Sequence, residues 1–370
     1  MKALKSLAIL GLLSLLCVGC EPNGGGSNSE EGLFLTVDNN TIYDNGEDVA
    51  TFTVYYDGAK LQGGYVIYEG DNELTGNTFK SKKQGTYTFD ALYGTLQSNK
   101  INVNVIQTPP PAPAVPEDTN PEKTNFVRRV LLTQFTGTGC GYCPYMINAL
   151  HELENSSYAP NYVLAVAHLY NESDPAYLSE AQTLDNAYGV NNYPSITADL
   201  QRRKNVNPDY ASLTSLLNTA INRCSVKAGI AVNAEYHPNE KYVVINTLVK
   251  AKTTDSFRVG AWLLEDGISG KQTIYDNVKP LEGVNFNIHD NAIRLANSKN
   301  SNTDFSGFAL GSIEAGKTAS KDFAFHLKDK WKVENLHLVV FVTTKEGDKW
   351  LVNNVINAPI QGVTDFEYED

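Results

Sequence analysis

Cysteine is scarce: the 370 residues hold five, and Cys17 and Cys20 fall within the first twenty. The other three, Cys140, Cys143 and Cys224, are too few for a disulfide framework, and no second pair completes a four-ligand zinc site. A c-type haem would need histidine directly after the second cysteine of the pair, where Pro144 stands. The histidines show no ligand spacing; His151-Glu152 begins like a zincin motif, but position 155 is Asn155. Basic residues number 30 against 42 acidic, a net charge of −12, so the basic footprint that nucleic acid requires is missing. Beyond residue 20 no apolar run is long enough to cross a bilayer as a helix. Neither a metal nor a cofactor is expected, and no internal repeat is present.

The first residues are a leader rather than fold. Lys2 and Lys5 precede an apolar run from Leu7 to Leu16, broken by Gly11 and Ser14 and too short to span a membrane comfortably. Residues 1–19 read as a signal peptide, and loss of Lys2 and Lys5 leaves the remaining chain more acidic still. Cys17-Val18-Gly19-Cys20 resembles a bacterial lipobox, with Cys17 where leucine is usual and Leu16 one place further back. The resemblance implies acylation of Cys20; a plain secretory signal cut nearby is the alternative. Residues 20–32 contain Gly24-Gly25-Gly26 and offer almost nothing apolar to bury, as in a flexible tether. Acyl chains anchor a protein without any spanning helix.

Three further segments follow. Residues 33–107 hold short runs rich in β-branched and aromatic residues, such as 50–56 and 85–89, separated by turn signals such as Asp57-Gly58 and Tyr93-Gly94. That spacing predicts an immunoglobulin-like β-sandwich, resembling modules of bacterial surface proteins. Residues 108–124 contain Pro109-Pro110-Pro111, Pro113, Pro116 and Pro121, the composition of an extended linker, of which 108–121 would reach about 40 Å. Residues 125–226 alternate strand and helix patterns: strands at 130–135, 162–167 and 195–198, and helices at 143–153, 174–188 and 208–222. This order predicts a central α/β domain. Residues 227–370 return to strands and predict a C-terminal β-sandwich, interrupted by a long polar loop from about 267 to 312; loops of that length are uncommon unless functional or partly disordered. The expected fold class is therefore multidomain α+β.

Cys140-Gly141-Tyr142-Cys143-Pro144 follows a predicted strand and opens a predicted helix. Free N–H groups and the dipole at a helix N-terminus favour negative charge, and the thiolate is the attacking form of cysteine. Cys140 is the expected nucleophile, and Cys143, one turn in, would resolve the mixed disulfide. A structural disulfide is the competing reading, though so short a loop gains little entropy from closure. Cys224 reads as a small buried hydrophobe. Asp44-Asn45-Gly46-Glu47-Asp48 reads as a solvated hairpin and Arg202-Arg203-Lys204 as a solvated loop.

The string Phe135-Thr136-Gly137-Thr138-Gly139-Cys140-Gly141-Tyr142-Cys143-Pro144, with Tyr193-Pro194-Ser195-Ile196 some fifty residues on, resembles thioredoxin-like proteins. The resemblance implies a cis-proline at Pro194 facing the cysteine pair, with Tyr142 and Tyr193 lining a substrate groove. The buried acid such proteins carry six residues before the first cysteine is Gln134 here, and an amide takes up no proton. The same string followed by a β-rich tail resembles the Bacteroidetes lipoproteins of the 28-kDa outer membrane protein family, over about Asn125 to Pro359. That implies an outer-membrane location, lipid-anchored, facing the periplasm or the cell surface.

Two functions follow as expectations. One is thiol–disulfide exchange on envelope proteins through Cys140 and Cys143, with envelope thiols or disulfides as partners. The other is a non-enzymatic interaction or adhesion lipoprotein, favoured by the tether, the linker and Gln134. Oligomeric state is not readable.

Overall fold

The computed structural model describes residues 32–202, 204–301 and 303–369. The expected signal peptide, the expected lipidation at Cys20 and the expected tether as far as residue 31 lie outside the described residues. Two compact units divide the chain, one ending at Thr108 and one beginning at Pro109.

The first unit is built from alternating strands. Leu33–Val37 (β1), Thr41–Tyr43 (β2), Ala50–Tyr56 (β3), Tyr65–Glu69 (β4), Gly85–Tyr93 (β5) and Ile101–Ile106 (β6) form two sheets, β1–β3 with short partners and β2–β6–β5–β4 with short partners. In β3, Ala50, Phe52 and Val54 point inward and their neighbours outward, the period of two that one buried face demands. Phe52 of one sheet meets Phe89 of the other at 4.6 Å between ring centres, closing a core with Leu35, Ile67 and Val103.

The second unit carries the cysteine pair. Its strands are Val130–Thr136 (β7), Tyr162–His168 (β8), Ser195–Ala198 (β9), Ala228–His237 (β10), Tyr242–Ala251 (β11), Asp255–Glu265 (β12), Ala292–Asn297 (β13), Phe308–Ile313 (β14), Thr318–His326 (β15), Leu336–Glu346 (β16), Lys349–Pro359 (β17) and Gly362–Thr364 (β18). Its helices are Cys143–Glu154 (α1), Leu184–Ala187 (α2) and Tyr210–Ile221 (α3). One eight-stranded sheet runs β9–β7–β8–β13–β12–β16–β17, with β14 beside β12; a second sheet runs β15–β11–β10–β18.

This overturns the expected fold class. No separate thioredoxin-like α/β domain stands over residues 125–226, and no independent sandwich follows it. The structure is 44% strand and 10% helix and is mainly β-sandwich-like. The physical reason lies at β8. Its free edge pairs in parallel with β13 through Val166 and Ala292, and β13 pairs with β12, so the sheet continues into the C-terminal strands. One apolar core spans the junction, holding Leu131, Phe135 and Ala165 together with Trp262, Phe341 and Val355. On the other face, α1 and α3 cover β7 and β9 through Met146, Leu150, Leu213 and Leu217. The helix expected over 174–188 shrinks to the four residues of α2, because the Asp174 side chain turns inward instead of starting a helix.

The proline-rich segment from Pro109 lies along this second unit. Pro113 and Pro116 are buried, and Asn233 donates to the Ala114 carbonyl. Lys250, 1% exposed, gives its ammonium to the Asp118 carboxylate and to the carbonyls of Asn120 and Pro121, which satisfies a buried charge. No helix among the described residues is long and apolar enough to cross a membrane.

Candidate functional site

β7 is buried along its whole length, as a central strand between two cores must be. It delivers the chain into the loop 137–142, and α1 starts at Cys143 with proline in its first turn. Cys140 and Cys143 form a disulfide with Cα atoms 5.4 Å apart. The Tyr193–Pro194 bond is cis. Ser195 pairs with Phe135, so Pro194 sits at the end of the sheet from which the cysteine loop leaves. The structure thus brings Cys140, Cys143, Tyr193 and Pro194 to one end of β7 and β9. Tyr142 is half exposed beside them, and Tyr193 is half-buried, with its hydroxyl donating to Asp185 at 2.7 Å. Cys224 is free, half-buried, and 3.6 Å from the Asn353 amide.

Neither sulfur-bearing residue is open to solvent: Cys140 is 3% exposed and Cys143 is fully buried. The cover comes from residues 270–281, part of the long loop between β12 and β13. Gln272 donates from Nε2 to the Cys140 carbonyl at 2.8 Å and to the Gly137 carbonyl at 3.3 Å. The Thr273 N–H donates to Thr138 O at 2.8 Å, and the Tyr275 N–H to Gly141 O at 2.9 Å. Further along, Asn148 on α1 grips the strap twice, donating to Lys279 O and accepting from the Leu281 N–H. Gly141 is required by this closeness: a Cβ there would overlap the ring of Tyr275, which also meets Tyr142 edge-on at 5.4 Å.

Beneath the loop lies a second group that the sequence alone did not single out. Asp174, 4% exposed, accepts from the Thr138 N–H at 2.7 Å and from His168 Nδ1 at 2.8 Å through Oδ2, and from the Ala176 N–H at 2.8 Å through Oδ1. His289 stands edge-on to His168 at 5.0 Å, its Nε2 3.0 Å from Gly270 O. Gln134 is 3% exposed, and its Nε2 finds no protein partner. Gln134, Thr136, His168 and His289 share the wall of a cavity of about 510 Å³ between α1 and residues 283–291.

Burial pushes the Asp174 carboxyl up, but the hydrogen bond and charge of His168, with the N–H groups of Thr138 and Ala176, outweigh it and bring the pKa down to about 2. A carboxyl depressed in this way contributes stability that is present above its unfolded value of about 3.9 and is lost as pH falls through the folded value. Protection of the Thr138 amide from hydrogen exchange is therefore expected to collapse between about pH 4 and 2. Asp174→Asn, which carries no such charge, should show no step in that window; a wild-type protection factor that stays flat there would refute the assignment.

Two signals in the sequence pointed toward these partners. The glycines of Gly137-Thr138-Gly139-Cys140-Gly141 mark a backbone approached closely from outside: at Gly139 a Cβ would overlap Asn171, and at Gly141 Tyr275. The length of the polar loop from about 267 was the other. The partners themselves, Asp174, His168, His289, Gln272 and Tyr275, sit 28 to 149 residues beyond Cys140 in the chain and carry no local motif.

Fold and site together define a β-rich protein with a strapped Cys-x-x-Cys disulfide at a strand–helix junction. Residues 181–363, just under half the chain, match the family model described as outer membrane protein Omp28. The match supports the Omp28 outer membrane protein family, and with it an outer-membrane, cell-envelope location. Among solved structures, HBP35 of Porphyromonas gingivalis is similar at 17% identity, over 64% of this chain and 77% of that one, with a TM-score of 0.48. A domain of the outer membrane lipoprotein Omp28 from Porphyromonas gingivalis is similar at 20% identity, over 37% and 89%, with a TM-score of 0.22. No curated protein matches.

Proposed function

We propose that the chain is an outer-membrane lipoprotein, anchored through Cys20, that exchanges disulfides with other envelope proteins through Cys140 and Cys143. The observation that carries this reading is the closed Cys140–Cys143 disulfide at the start of a twelve-residue helix. The dipole at the helix start favours a thiolate, the species that attacks and leaves in exchange. Tyr142, Tyr193 and Pro194 form the adjoining surface for the partner polypeptide, and no cofactor is needed.

Burial of both cysteines favours a second reading, an interaction or adhesion lipoprotein in which the disulfide pins the loop. The reduction potential separates the two. Equilibrated with glutathione and then alkylated and weighed, a catalytic pair should fall between roughly −120 and −270 mV, and a structural one below about −300 mV. A value in the lower range, together with a Cys140→Ser chain that still binds its envelope partner unchanged, would replace exchange by interaction.

A further inference from the structure

We propose that His168, held by Asp174, is the positioning residue that takes up a proton when the Cys140–Cys143 pair is reduced, in place of the acid that position 134 lacks. The inference rests on the thiol–disulfide reading and deepens it.

Four observations carry it. Gln134 cannot store a proton, yet it lies on the face of β7 that looks toward α1, and Thr136 follows on the same face. Thr136 pairs with His168 across the parallel β7–β8 ladder, which puts the imidazole one strand over and nearer the loop than position 134. Asp174 joins the imidazole to the loop itself, because one carboxylate oxygen serves both His168 Nδ1 and the Thr138 N–H, two residues before Cys140. The ring also borders the 510 Å³ cavity, which is roomy and polar enough to admit water that relays the partner's proton.

The charged neighbours are named by the packing. Asp174 holds Nδ1, and His289 faces the ring from the strap side, with Asp290 beside it. His151 and Glu154 of α1 line the far wall of the cavity. Burial and the neighbouring His168 push the His289 imidazole down.

The step balances as follows. A partner thiolate attacks Cys140 Sγ, and the bond to Cys143 Sγ breaks with its electron pair on Cys143. The partner's second thiolate then attacks the mixed disulfide and releases Cys140 as a thiolate. The partner dithiol has become a disulfide and has given up two protons. One ends on Cys143 and the other on His168 Nε2, while Nδ1–H stays with Asp174. The reduced state is a Cys140 thiolate opposed by an imidazolium, and the oxidised state has neither charge.

The test uses the full chain in detergent, reduced with a phosphine, and follows alkylation of Cys140 against pH. Wild type should show two inflections, one from the thiol and one from His168. His168→Asn keeps a donor for Asp174 but cannot titrate, so it should show one inflection displaced upward by about one unit, with alkylation near pH 6 slowed about tenfold. Ring-nitrogen resonances of wild type give an independent reading: His168 should titrate at higher pH in the reduced than in the oxidised protein. An unchanged alkylation profile in a folded His168→Asn chain, or equal His168 titration in the two redox states, overturns the inference and leaves the exchange reading intact. If the variant does not fold, the resonance comparison decides alone. A wild-type pair that resists the phosphine sinks the exchange reading and this inference with it.

Discussion

Replacing Gln272 by alanine is expected to raise the rate at which dithiothreitol reduces the Cys140–Cys143 bond by about tenfold. With Cys140 3% exposed and Cys143 buried, a reductant reaches sulfur only when the strap has lifted. The rate then follows the population of the open state. Gln272 contributes two hydrogen bonds to the loop carbonyls of Cys140 and Gly137. A buried hydrogen bond contributes about 1 kcal/mol net, and 1.4 kcal/mol is a factor of ten. Gly141→Ala reaches the same end from the opposite side, since its methyl displaces the Tyr275 ring from the loop. Reduction rates that match wild type in both variants would show that the strap does not limit access. Neither substitution replaces a cysteine.

Asp199→Ala is expected to destabilise the second unit by about 3–5 kcal/mol, the largest stability effect of any single substitution considered. Asp199 is fully buried at the end of β9. Its carboxylate binds Arg128 at 2.8 Å, Arg223 at 3.0 Å and the Leu131 N–H at 3.0 Å. Its backbone accepts from the Val352 N–H at 3.1 Å. The side chain thus ties the segment before β7 and the turn after α3 to the edge of the large sheet, and the backbone of the same residue adds strand β17. Truncation leaves two guanidinium groups in a region that is 10% and 13% open at those side chains, with Arg223 retaining Glu346 and the Val352 carbonyl. Thermal unfolding should fall by about 10 °C for a unit of this size. A loss under about 1 kcal/mol would mean that the arginines find water and that the carboxylate is not the tie.

Much of the site was legible before any coordinates. The Cys-x-x-Cys pair, the strand before it and the helix after it follow from local pattern, because each depends on residues within a few positions of one another, whereas Pro194 came only from the resemblance. The second helix expected at Asp174 did not form, and its failure is informative. Asp-Pro is a sound helix-start signal, but the Asp174 carboxylate meets three donors inside the fold, and those outweigh a capping position on the surface. The strap was visible only as an overlong polar loop, since its contacts with Gly137, Cys140 and Gly141 join residues more than 130 positions apart.

The sequence by itself determined the punctuation: the alternation of strands, the proline-rich segment and the Cys-x-x-Cys pair at a strand–helix junction. These arise from backbone propensities and short periodicities, which act over a few residues. The tertiary structure alone decided where one sheet ends and the next begins. Val166 pairing with Ala292 joins strands 126 residues apart, and that pairing turns an expected α/β domain and an expected sandwich into one continuous sheet. Edge strands carry unpaired backbone groups whatever their sequence, so which edge closes on which depends on the packing of the whole unit. The same packing sealed Cys140 under the strap and set His168 beside the loop, and both facts bear on how the disulfide can react.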